Sequence, residues 1–136
     1  MNLNFNEIEI YKTITVSGNI GNNANTFSAY INVEFIPDEI ILKYVAKYDD
    51  DQAASDLLDI ISSDLIDNQV IFSYPSSMAL YEMCNTPFRN QKPIQGLYTF
   101  TITQIDGSLP SNFASFNSFY SFTFLFVKYK HKNNNV

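Results

Sequence analysis

Apolar and polar residues alternate with a period of two along most of this chain, the mark of half-buried β-strands. From Thr26 to Phe35 the alternation is unbroken. Phe27, Ala29, Ile31, Val33 and Phe35 fall on one face, and Ser28, Tyr30, Asn32 and Glu34 on the other. Earlier, Ile8 and Ile10 share a face with Ile14 and Val16, which predicts one long strand or two joined by a bulge near Tyr11 to Thr13. The segment SGNIGNNAN, residues 17–25, separates the two units and is rich in turn-forming Gly and Asn. Pro37 ends the second unit, because it cannot donate to a central ladder. A third strand follows from Glu39 to Tyr48, with Ile40, Leu42, Tyr44 and Tyr48 alternating with Lys43 and Lys47.

The segment Ala53 to Ile66 admits two readings. It fits a short helix capped by Ser55, with Leu57, Leu58, Ile61 and Leu65 on one side. It also fits a strand with Leu58 and Ile60 facing inward and a break at Ser62-Ser63, which its Ile content and β surroundings favour. A short strand from Gln69 to Tyr74 closes at Pro75. Ser76 to Gln95 is the least regular stretch, read as a short strand or helix around Met78 to Met83 and then a long loop. Leu97 to Ile105 alternates again, and Asp106-Gly107 is a hairpin turn signal.

The stretch Phe113 to Lys130 is apolar on both faces. Tyr120, Phe122, Phe124 and Phe126 make one face aromatic, and Phe119, Thr123, Leu125, Val127 and Tyr129 make the other largely apolar. A strand with one face in water would alternate apolar with polar. This pattern predicts cover on both sides, by a second sheet and by another layer or subunit. Short strands punctuated by turn signals, with no strong helix pattern, predict an all-β antiparallel two-sheet sandwich, a single jelly roll. The expected organisation is one β-sandwich domain over residues 1–130 and a polar C-terminal tail over 131–136.

Composition narrows the function classes. Charged residues are 16% of the chain, so its polar surface is built from Asn, Ser, Thr, Gln and Tyr, which suits subunit contacts. The net charge of −6 argues against nucleic acid as a partner. Cys84 is the single cysteine, so no internal disulfide framework is possible. The N-terminus lacks the basic and apolar regions of a signal peptide, and no apolar run reaches the length of a membrane span, so no membrane insertion is expected. The single histidine, His131, lies in the Lys-rich tail, and the glycines are isolated, so neither a His-based site nor a phosphate loop is expected. The chain reads as a non-enzyme without a cofactor. Asp49, Asp50 and Asp51 form the one candidate Ca²⁺ site, for which a solvated loop is the preferred reading. Asp56, Asp59, Asp64 and Asp67 read as the polar face of their element. In an alternative lectin-like module, the loops Asn19 to Asn25 and Thr86 to Gln95 would carry carbohydrate or receptor binding.

Four short motifs occur in order: FIPDEIILK at residues 35–43, SDLI at 63–66, DGSL at 106–109 and the closing FTFLFVKYK at 122–130. In this order the chain resembles small capsid-associated proteins of virophages, polinton-like viruses and related large DNA viruses. The resemblance implies a jelly-roll virion component without an active site: a minor capsid, penton-type or spike subunit. It would assemble in the host cytoplasm. Its expected partners are copies of itself, as a trimer or pentamer joined through Tyr120, Phe122, Phe124 and Phe126 as core or interface. Other capsid proteins and a host glycan complete the expectation.

Overall fold

A computed structural model describes residues 7–21, 25–49, 58–75, 80–105, 110–111 and 117–130. The strands are β1 (Ile8–Gly21), β2 (Thr26–Asn32), β3 (Glu39–Asp49), β4 (Leu58–Ser63), β5 (Gln69–Pro75), β6 (Leu80–Arg89), β7 (Gln95–Ile105), β8 (Pro110–Ser111) and β9 (Asn117–Tyr129). A 3-10 turn spans Asp64–Ile66. One sheet has the order β1-β9-β3-β6, and the other β2-β7-β4-β5, with β8 attached to β7. All pairings are antiparallel. With the two-residue β8 set aside, the long strands pair first with last, second with second-last, and so on inward. This is one long hairpin rolled into two sheets, the topology of a single jelly roll.

The interior is an aromatic column clamped between the sheets. Tyr120, Phe122, Phe124 and Phe126 of β9 are all buried and line the inner face of the first sheet. Phe27 of β2 and Phe100 of β7 meet them from the second sheet. Ring centroids are 5.7 Å apart for Phe100 and Phe122, 6.0 Å for Phe100 and Phe124, and 6.1 Å for Phe27 and Phe122. Gly18 makes room for this packing. A Cβ there would sit 2.2 Å from the Phe27 ring, so the position takes no side chain.

Several expected boundaries move. β1 runs through Gly18 to Gly21, because pairing with β9 extends to Asn117 and overrides the local turn signal. β2 ends at Asn32, after which Val33 donates its N–H to Ile94 O at 2.9 Å and remains buried. The irregular stretch before Gln95 contains a ten-residue strand, β6, not a short element followed by a long loop. Pro87 fits there because β6 is a sheet edge and needs no donor on its open side. Residues 58–63 are strand and 64–66 a 3-10 turn, whereas 53–57 lie outside the described residues. Within β4 the expected facing is reversed: Asp59 and Ile61 point inward and Ile60 is half-buried.

Candidate functional site

The most unusual chemistry lies in the interior at one end of the sandwich. Lys47 of β3 and Asp59 of β4 are both fully buried, and Lys47 Nζ lies 3.2 Å from Asp59 Oδ2. The Tyr120 hydroxyl donates to the same Oδ2. Lys47 Nζ also stands 5.9 Å from the Tyr120 ring centroid, at the end of the aromatic column. Asp59 Oδ1 is buried without a hydrogen-bond partner. The three residues come from strands of both sheets, so the pair ties one sheet to the other.

Two local features bring these residues inward. A bulge between Leu42 and Tyr44 breaks the alternation of β3, so Val45 and Lys47 oppose Phe122 and Tyr120 on the inner face. Without it, Lys47 would share the outward face with Lys43, as its spacing in the sequence suggests. On β4, Asp59 stands two residues before Ile61, which opposes the buried Ile102. The reading of Asp59 as part of a solvated acidic face is therefore corrected. Its neighbours in that set differ: Asp64 and Asp67 are exposed, and Asp56 lies outside the described residues.

The opposite end carries an open polar cleft of 340 Å³ lined by Asp38, Glu39, Arg89, Asn90, Gln91, Tyr129 and Lys130. Asn90 organises it. Its Nδ2 donates to Pro37 O at 2.8 Å and to Lys92 O at 2.7 Å, and its N–H donates to Asp38 O at 2.9 Å. The Tyr129 hydroxyl donates to Glu39 Oε1 at 2.5 Å, and this bond to the carboxylate, with burial, pushes the phenol up to about 12. Arg89, the one arginine of the chain, is exposed and has no hydrogen bond or ion pair among the described residues. A second cleft of 310 Å³ shares Arg89, Asn90 and Gln91 and adds Asp67 and Lys92. There Lys92 Nζ sits 2.6 Å from Asp67 Oδ1, and this hydrogen bond raises the Lys92 pKa.

The outer sheet faces are rich in hydroxyls. On the first sheet Thr15 pairs with Thr123 at 2.9 Å and Ser17 with Ser121 at 3.2 Å, while Lys43 places a charge in the middle of the face, bonded to Asn85. On the second sheet, Ser28 and Tyr30 of β2 oppose Thr99 and Leu97 of β7. Ser62 and Ile60 of β4 oppose Thr101 and Thr103, and Val70 and Ser73 of β5 continue the face. None of these outward residues is charged. Tyr30 and Leu97 are 71% and 66% exposed.

Of the residues singled out in the sequence, Tyr120, Phe122, Phe124 and Phe126 line the interior. Phe119, on the opposite face of β9, is exposed. Asp49 is the last residue of β3, and Asp50 and Asp51 lie outside the described residues, as does the tail 131–136. Cys84 is half-buried on β6, and burial, with Glu82 nearby, raises its thiol pKa and weakens it as a nucleophile. Of the segment Thr86 to Gln95, Arg89, Asn90 and Gln91 line the polar cleft. The alternation in the sequence places Lys47 with Lys43 on the polar side of the strand, and no signal there marks the bulge that turns Lys47 inward.

No family model matches the chain, and no curated protein does. Among solved structures, the chain is similar to a protein from the disulfide-linked pili of Bacillus endospore appendages. Identity is 9%, the TM-score 0.34, and coverage 93% of this chain and 94% of that one. It is also similar to a turnip yellow mosaic virus chain at 8% identity and a TM-score of 0.28, covering 93% of this chain and 99% of that one. A second turnip yellow mosaic virus structure gives 9% identity and a TM-score of 0.29, covering 94% and 100%.

Proposed function

We propose that this chain is a structural virion subunit, of minor capsid, penton-type or spike kind, that works by self-association and performs no catalysis. The observation that carries the reading is the outer face of the β2-β7-β4-β5 sheet, whose described outward residues carry no charge. Copies bearing −6 each repel one another, and identical surfaces meet at least cost where neither carries charge. Tyr30 and Leu97, cross-strand partners at the β2 edge, supply the exposed apolar area that such a contact buries. The sequence resemblance adds the virion setting. Light scattering at micromolar concentration tests the reading: a homo-oligomer is expected, and Leu97→Glu should dissociate it while leaving the β-type circular dichroism spectrum intact. A monomeric native chain overturns it. Detection of the chain in purified virus particles tests the virion part, and its absence from them counts against that role.

A second reading rests on the polar cleft. Planar polar side chains, the Tyr129 ring and the exposed Arg89 guanidinium suit the hydroxyls and carboxylate of an acidic sugar. On this reading, a glycan array should return carboxylated sugars, and Arg89→Ala should abolish the signal.

A further inference from the structure

We propose that Lys47 and Asp59 become joined by an intramolecular amide bond, a covalent cross-link between the two sheets. The geometry meets the needs of that reaction. The amine nitrogen lies 3.2 Å from the carboxyl group, and both side chains are fully buried. Two reactive groups held in contact on rigid strands react as though at very high concentration. Water, which would favour hydrolysis and solvate both charges, is excluded. The Tyr120 hydroxyl donates to Asp59 Oδ2, where negative charge develops when the carboxyl carbon is attacked.

The step balances without an external reagent. One proton passes from the Lys47 ammonium to the Asp59 carboxylate, leaving an amine beside a carboxylic acid. Nζ attacks Cγ and forms the N–C bond, and Oδ2 carries the negative charge under the Tyr120 hydrogen bond. A second proton passes from Nζ to Oδ1, the Cγ–Oδ1 bond breaks, and Oδ1 leaves as water. Oδ2 remains as the amide carbonyl oxygen and keeps its bond from Tyr120. Nothing is oxidised or reduced, and the net charge of the chain is unchanged. The atom that departs is, among the described residues, the one buried side-chain acceptor without a partner, so the product removes an unsatisfied group as well as two buried charges. A buried ion pair by itself is a poor source of stability relative to apolar packing. A covalent tie gives this one a purpose.

The cross-link does not depend on the assembly reading, since it lies wholly within one chain. The test is the intact mass of the folded full chain, measured under denaturing conditions. The expected mass is lower than the sequence mass by one water, and proteolysis should release a branched peptide joining the segments that hold Lys47 and Asp59. Native protein that keeps its full sequence mass after prolonged incubation in the folded state overturns the proposal. The Tyr120→Phe chain, which loses a hydroxyl and little volume, should stay folded and form the bond more slowly. An unchanged rate in that variant overturns the role given to Tyr120.

Discussion

Two lysine–aspartate pairs, one at each end of the sandwich, show how burial outweighs distance. Lys92 and Asp67 are closer, at 2.6 Å, but their side chains are 50% and 69% exposed. Lys47 and Asp59 are 3.2 Å apart and fully buried. Water screens the first pair, and ordering two mobile side chains offsets most of its Coulomb gain. The second pair lies in a low-dielectric interior beside an aromatic column, where water screens neither charge. The shorter contact is therefore the weaker one. The Tyr129–Glu39 bond falls between them, with both side chains half-buried at the rim of the polar cleft.

The comparison can be broken most strongly at Asp59. Asp59→Ala removes the buried carboxylate that faces the Lys47 side chain and the Tyr120 hydroxyl, and should cost roughly 3–5 kcal/mol in a urea titration. A loss below about 1 kcal/mol would place the pair with the exposed one. The next effect is at Tyr129. Its pKa is raised from 10.0 to about 12, first by the bond to Glu39 and then by burial. A group raised in the folded state contributes stability that is fully present below its unfolded value. That contribution should be lost as the pH climbs from 10.0 towards about 12. Tyr129→Phe should cost about 1 kcal/mol at neutral pH and flatten that part of the alkaline profile. Melting curves across the range check both. The smallest effect is at Asp67. This residue has a φ of 59°, which Asn also tolerates. Asp67→Asn therefore isolates the charge, and should change stability by at most about 1 kcal/mol, an effect that vanishes in high salt.

The sequence by itself determined the β character, the alternating strands and the aromatic strand at the centre of the first sheet. Period-two patterning is a local property, and it survives in any antiparallel sheet that buries one face. It also held the hairpin signal after Ile105, which lies outside the described residues although β8 returns to pair with β7 on its far side. Tertiary structure decided what alternation could not. The bulge between Leu42 and Tyr44 inserts one residue into β3, and that one-residue shift turns Lys47 from the solvent side to the interior. Pairing across the sheet, not local propensity, carries β1 through Gly18 and Gly21 and makes a strand of Leu80–Arg89 despite Pro87. Asp59 had the look of a surface carboxylate among other acids. Only the approach of β3 and β9 from the facing sheet gave it a lysine and a tyrosine, because partners distant in sequence meet only when the two sheets close on each other.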